Sequence, residues 1–124
     1  MEQGNNIGKA KTFEDLFFWK KSHQFVLKIY KLTQSFLQQE IFCLVSQLRQ
    51  AAVSVSANIA EGFKRKGKAD KLRFFNISQG SLEEVRYYFI LTNDLDYGET
   101  EELRGALDEI SCILNAYMKL FKDQ

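Results

Sequence analysis

The stretch "LRGALDEISCILNAYMKLF", residues 103–121, decides the class of fold. Its large apolar side chains recur at steps of four and three residues, at Leu103, Leu107, Ile110, Leu114, Tyr117 and Phe121. This heptad spacing places one apolar stripe along one side of an α-helix. Such a stripe has to be covered by other parts of the protein, so the pattern predicts a helix over 99–122 that packs against further helices.

Three other segments show the same periodicity, and they predict helices over 13–37, 40–61 and 69–94. The third has Phe75, Leu82 and Phe89 at seven-residue spacing. Proline is absent, and no segment alternates as a strand would. Helices of similar length joined by short turns predict an all-α fold, an antiparallel up-down-up-down four-helix bundle. We expect one domain over 1–124, with residues 1–11 as a flexible N-terminal tail.

The ends of the helices carry recognisable signals. Thr12 is a candidate N-cap of the first helix, and Asp15 three residues later completes an imperfect capping box. Gly62 is placed to end the second helix in a left-handed conformation. Gln38 and Gln39 mark a short turn between the first two helices.

Composition excludes several classes of protein. Hydrophobic residues make up 45% and charged residues 27% of the chain, which is typical of a folded globular protein. No apolar run approaches the roughly 20 residues that span a bilayer, and the polar start does not resemble a signal peptide. We therefore expect a cytoplasmic protein that does not contact a membrane. In a reducing cytosol, Cys43 and Cys112 are expected to be buried thiols.

Residues that could support catalysis are few. His23 is the single histidine, and its place between apolar stripes predicts a residue at the boundary of the core. His23, Cys43 and Cys112 are too few and too far apart for a metal site, which needs about four ligands at short spacing. No nucleophile–base set and no glycine-rich phosphate loop can be assembled. The sequence predicts a protein that is not an enzyme and that has no cofactor.

The second helix is unusually bare over "AAVSVSANIAEGF", residues 51–63. Small uncharged side chains occupy positions off its core line, among them Ala52, Ser56, Asn58 and Ala60. Such residues can allow close packing of helices within one bundle. Alternatively, they can form a second face that is buried against another subunit. We favour the second interpretation, in which these four residues contribute to the interface of a homo-oligomer.

Three segments together resemble a known family, the four-helix-bundle proteins encoded in intervening sequences of bacterial 23S rRNA genes. They are "FEDLFFWKKSHQFVLKIYKLT" at 13–33, "SQLRQAAVSVSANIAEGF" at 46–63 and "LRFFNISQGSLEEV" at 72–85. The chain departs from the family pattern at Gln50, where a second arginine is usual, and at Ser56 and Ser78.

The resemblance implies a homopentameric ring with a central channel. It extends to the accessory protein of diversity-generating retroelements, a basic bundle pentamer associated with nucleic acid and a reverse transcriptase. It therefore implies RNA or single-stranded DNA as a partner, and it leaves room for a protein partner such as a polymerase. Within this frame Arg49 is expected to pair with Glu61 or Glu84, or to line the channel.

A strongly basic segment joins the second and third helices. Six cations fall within ten residues, at Lys64, Arg65, Lys66, Lys68, Lys71 and Arg73, and only Asp70 opposes them. Phe63, Phe74 and Phe75 flank the segment. For an arbitrary protein, such a segment is most simply a solvated loop. Cations beside aromatic rings also suit RNA or single-stranded DNA, and we favour that interpretation with Phe63 as a stacking platform.

The last part of the chain carries the opposite charge. Residues 94–124 have eight acidic and three basic side chains. In one interpretation this acidic helix pairs with the basic segment of a neighbouring subunit and neutralises it. In another it is the docking face of a pure interaction scaffold, which binds a protein partner without contacting nucleic acid.

Overall fold

The computed structural model describes residues 10–122, and four long helices account for most of them. The helices are α1 (Phe17–Thr33), α2 (Ser46–Lys64), α3 (Lys68–Asp94) and α4 (Glu101–Lys122). No strand occurs between residues 10 and 122, so the all-α prediction is confirmed for this range. In the same range no helix has the length and apolarity needed to cross a membrane.

Irregular turns replace the predicted ends of the first two helices. A 3₁₀ turn, Phe13–Asp15, precedes α1, and Leu16 between them is extended with ψ 126°. A 3₁₀ turn at Gln38–Glu40 and a π turn at Ile41–Val45 lead into α2. The first two helices are therefore shorter than predicted, because apolar spacing does not distinguish one helical turn from another.

The chain before α1 is fixed by the predicted capping residues. The Thr12 hydroxyl accepts from the Glu14 amide at 3.2 Å, and the Asp15 carboxylate accepts from the Lys11 amide at 2.9 Å. Ala10 packs against the core. Residues 10 and 11 therefore belong to the folded part and not to the predicted tail, whose residues 1–9 lie outside the described range.

The core runs the length of the four helices. Each contributes fully buried side chains, including Ile29, Leu48, Leu82 and Leu107. Between α2 and α3 the contacts run in opposite order along the two helices. Gly62 lies against Phe75, the Ser78 hydroxyl donates to the Val55 carbonyl, and Tyr88 reaches Gln47. This order is consistent with the predicted antiparallel arrangement.

Gly62 does not end α2 in a left-handed conformation, so that prediction is wrong. The helix continues to Lys64, and no glycine among residues 10–122 has positive φ. The reason for a glycine at this position is instead the lack of space for a side chain. A Cβ at this position would lie 2.7 Å from Cε1 of Phe75, whose ring is fully buried.

A left-handed residue ends α3 instead. Asp96 has φ 60°, and the Tyr97 amide donates to the Thr92 carbonyl at 3.0 Å. The Asp96 amide donates to the Asn93 carbonyl at 3.0 Å. This is the Schellman pattern, and aspartate tolerates it better than most residues.

Two of the small residues of α2 face inward, which corrects the interface prediction for them. Ala52 is fully buried, and the Ser56 hydroxyl lies 2.8 Å from the Ser22 hydroxyl of α1. Their small size lets α1 and α2 approach closely within one bundle, which is the alternative interpretation. Asn58 is half-buried and donates to the Ser54 carbonyl of its own helix, and Ala60 is half-buried on the α1 side. A subunit contact at Asn58 and Ala60 stays a prediction.

The cysteines are also placed differently from the prediction, because Cys43 and Cys112 are both free and exposed. Cys112 lies on the outer side of α4, between the stripe positions Ile110 and Leu114. Cys43 lies in the π turn, where its neighbours Leu44 and Val45 take the buried positions. Composition alone cannot give these orientations.

Candidate nucleic-acid interface

The basic segment lies at one end of the structure, where α2 ends and α3 begins. The end of α4 reaches the same place, because the Lys71 amino group lies 5.7 Å from the centre of the Phe121 ring. We define the basic end as the charged side chains gathered there: Lys64, Arg65, Lys66, Lys68, Arg73, Lys119 and Lys122. All except Arg65 are exposed, so cations from three helices face solvent together.

Phe74 is the aromatic centre of this surface. The guanidinium carbons of Arg65 and Arg73 lie 4.7 and 4.4 Å from the centre of its half-buried ring. Arg65 also pairs with Glu61 at 2.5 Å, and Arg73 with Asp70 at 3.5 Å. Exposed ion pairs of this kind contribute less than about 1 kcal/mol, so a phosphate can replace either carboxylate at small cost. The ring holds both guanidinium groups in place.

Lys71 and Phe63 do not face solvent in the way the sequence predicted. The Lys71 amino group donates to the carbonyls of Phe63 at 2.7 Å and Gly62 at 3.3 Å, in the last turn of α2. The Gly62 carbonyl also accepts from the Arg65 amide at 3.2 Å. Burial lowers the pKa of Lys71 below its usual value. The Phe63 ring packs against the core under this lysine. Both residues close the end of the bundle, and neither offers a free face to a base.

We expect Lys71→Gln to destabilise the fold while leaving nucleic-acid affinity nearly unchanged. The substitution removes a cation from the C-terminal end of α2 and two hydrogen bonds to its carbonyls, which should cost about 1 kcal/mol. Urea unfolding measures the first effect and a binding titration the second. Lys64→Gln is the matched control, with the opposite expectation. Loss of binding on Lys71→Gln without loss of stability would contradict the structural role.

Acidic side chains of the last segment gather away from the basic end. Asp94 ends α3, and the link to α4 carries Asp96 and Glu99; all three lie at the end of the bundle where Tyr97 donates to Glu40 at 2.8 Å. Within α4, Asp108 pairs with Arg86 of α3 and Glu109 pairs with Lys21 of α1. The acidic side chains described between residues 94 and 109 therefore lie away from the basic end of the same subunit.

Arg49 has a different environment from the predicted one. Its Nε donates to the Thr33 hydroxyl at 2.9 Å, its Nη2 donates to the Tyr30 carbonyl at 3.3 Å, and its guanidinium lies over the Tyr30 ring. Glu61 instead pairs with Arg65, and Glu84 accepts from the Tyr88 hydroxyl. Within one subunit Arg49 therefore pairs with neither acid, and the alternative that it lines a channel stays a prediction. Arg49 ties the end of α1 to α2.

His23 is a boundary residue as predicted, half-buried and stacked on Trp19 with the ring planes 4° apart. Across residues 10–122, no three histidine, cysteine, aspartate or glutamate side chains lie close enough to hold a metal ion.

Lys119 and Lys122 were missed by the sequence analysis. They lie about fifty residues from the basic segment, and only the packing of α4 beside α3 brings them to it. A signal was available, because a helix that runs antiparallel to α3 over its whole length must end where α3 begins.

These features define the class of protein: an all-α protein of four long helices with cations gathered at one end. The 23S rRNA-intervening sequence protein family matches residues 14–117, and the chain belongs to this family. A similar solved structure is that of a protein of unknown function of the S23 ribosomal protein family from Bacteroides thetaiotaomicron. The two chains share 24% identity with a TM-score of 0.75, over 82% of this chain and 95% of that one. This likeness supports the fold. A search of curated proteins gives no match.

Proposed function

We propose that the protein is a cytoplasmic, non-enzymatic homo-oligomeric ring that binds RNA or single-stranded nucleic acid through the basic end. The observation that carries the proposal is the set of exposed cations where α2 ends, α3 begins and α4 ends, with Arg65 and Arg73 held against the Phe74 ring and away from the acidic link. Counterion release from phosphates favours binding to such a surface, whatever the base sequence. The name of the family points to 23S rRNA, so RNA is the first nucleic acid to test.

A ring raises the affinity of this surface for nucleic acid. One subunit offers a small patch with few phosphate contacts, which alone gives weak binding. Rotational symmetry repeats the basic end around one rim, so a single strand can engage several copies at once. The effective concentration of each further contact is then high, and the overall affinity exceeds that of one patch. A pentamer is the assembly that the family resemblance implies.

A specific observation favours a second candidate, a protein-binding scaffold. The Phe42 side chain is 90% exposed in the turn before α2, and Leu37 and Ile41 near it are also exposed. Exposed apolar clusters of this kind mark contacts with other proteins. In this alternative the ring binds a protein partner such as a polymerase, and the charges of the basic end serve only to keep the protein soluble.

The test is an RNA-binding titration over a range of salt concentrations with Lys64→Gln/Lys66→Gln. Each engaged subunit then loses two phosphate contacts, which should flatten the log–log salt slope by about 1.4 and weaken binding about 20-fold at 0.1 M salt on a single strand, with larger losses where the strand engages several subunits. Lys28→Gln/Lys31→Gln in α1 is the matched control, because it removes the same charge from exposed positions away from the basic end. An equal loss of RNA affinity in both variants would indicate general attraction of RNA by positive charge and contradict a binding site at the basic end. No loss in the first would favour the scaffold.

A further inference from the structure

Two adjoining clefts run along the side of the bundle between α1 and α2. The lower cleft, of about 350 Å³, lies between Trp19 and His23 of α1 and Ala57 and Ala60 of α2. The hydroxyls beneath it, on Ser22 and Ser56, bond to each other, so its lining suits an apolar occupant. The upper cleft, of about 560 Å³, lies between Tyr30, Phe42 and Arg49, and Val53 borders both.

Arg49 gives the upper cleft a positive charge that its own chain does not balance. Its hydrogen bonds go to a hydroxyl and a carbonyl, which are neutral acceptors. Over the described part of the chain, no carboxylate forms an ion pair with it. A guanidinium in this position favours an occupant with a carboxylate beside an apolar side chain.

The outward face of α3 has the complementary features. Ile77 and Tyr87 are large apolar side chains exposed by 41% and 58%, and Glu84 lies between them. Glu84 accepts a hydrogen bond from Tyr88 but has no cationic partner among residues 10–122. The face therefore carries an unbalanced negative charge between two apolar side chains.

Gly80 completes this face and has no evident role inside the subunit. It lies in the middle of a helix of 27 residues, where glycine is less favourable than alanine by about 0.5 to 1 kcal/mol. A Cβ built there meets no described atom within 4 Å, in contrast to Gly62. A glycine between Ile77 and Glu84 lets the surface of another helix approach the α3 backbone closely.

We propose that, in each contact of the assembly, the α3 face of one copy packs over the two α1–α2 clefts of the next copy. Ile77 enters the lower cleft, Tyr87 enters the upper cleft, and Glu84 pairs with Arg49. This inference rests on the proposed homo-oligomer and names its contact surfaces.

The levels of these groups along the bundle agree. Within one chain Ser78 bonds to Val55 and Tyr88 to Gln47, so Ile77 lies level with the lower cleft and Tyr87 with the upper one. Rotation about an axis parallel to the helices therefore aligns both pairs at once. The two contact surfaces are different, so a row of copies always has an unused α3 face at one end and unused clefts at the other. Both are used only when the row closes into a ring.

The test compares Gly80→Gln with Gly105→Gln. Both glycines are exposed within long helices, and neither has a described atom within 4 Å of an added Cβ. Both variants should keep the helicity of the wild-type subunit, because glutamine is a better helix former than glycine. Gly80→Gln should reduce the mass in light scattering to the 14.4 kDa of one chain, whereas Gly105→Gln should keep the wild-type mass. Glu84→Arg, which opposes Arg49 with a like charge, should act as Gly80→Gln does.

Each result decides between the two proposals. A wild-type mass of 14.4 kDa at micromolar concentration would remove the oligomer and this contact together. An assembled wild type that stays assembled with Gly80→Gln and Glu84→Arg would leave the oligomer standing and overturn the α3 contact. Loss of assembly on Gly105→Gln alone would assign the contact to α4 instead.

Discussion

Ala52→Arg should unfold the subunit rather than merely separate the copies of an assembly. Ala52 is fully buried in the main hydrophobic core, so a longer side chain would displace packed neighbours and its guanidinium would be placed in apolar surroundings. An uncompensated buried charge costs about 3 to 5 kcal/mol, and the overpacking adds to this. A domain of this size has only about 5 to 15 kcal/mol of stability in total.

The measurement is circular dichroism with thermal unfolding, and Ala57→Arg is its matched control. Ala57 lies five residues further along the same helix and is exposed, so its substitution should keep the helicity. Under the proposed contact it should nevertheless break the assembly, because it lines the lower cleft. A folded, monomeric Ala52→Arg protein would mean that α2 turns another face to α1.

Gly62→Ala should destabilise the fold by about 1 to 3 kcal/mol, although alanine is normally the better residue in a helix. The added methyl group would lie 2.7 and 2.9 Å from two carbons of the Phe75 ring. That ring is fully buried and packs on Tyr117 and Phe121, so it cannot move aside freely.

The control for this prediction is Gly105→Ala, which should stabilise the protein by about 0.5 to 1 kcal/mol. Gly105 also lies within a long helix, but a Cβ at this position would meet no described atom within 4 Å. Urea unfolding at one fixed protein concentration compares the two, since assembly makes stability depend on concentration. Equal gains for both variants would show that the contact of α2 with Phe75 is looser than the structure has it.

The two α2 substitutions also explain why the segment 51–63 is so bare. Small residues such as Ala52, Ser56 and Gly62 explain the bare segment 51–63, because α1 and α3 both approach α2 closely there. Most of that segment is therefore internal to one subunit. From this segment, the residues that line the clefts in which the next copy is proposed to bind are Val53, Ser54, Ser56, Ala57 and Ala60.

The sequence alone determined the helices with the strongest periodicity. The prediction for α3 was 69–94 against the observed Lys68–Asp94, and the stripe from Leu103 to Tyr117 is buried as predicted. A repeated apolar spacing directly encodes which side of a helix avoids water, so no knowledge of the partners is needed. The first two helices were predicted less well, because 3₁₀ and π turns preserve enough of the spacing to look continuous.

Tertiary structure alone decided what the polar and small residues do. From the sequence, Lys71 and Lys64 are equivalent cations, yet one closes the end of α2 and the other faces solvent. Likewise Gly62 and Gly80 are both glycines in the interior of a helix. The Phe75 ring occupies the space that a side chain at Gly62 would need, whereas the space beside Gly80 is open. A charge or a missing side chain has no period, and its role depends on which distant residues the packing of the helices brings within a few ångströms of it.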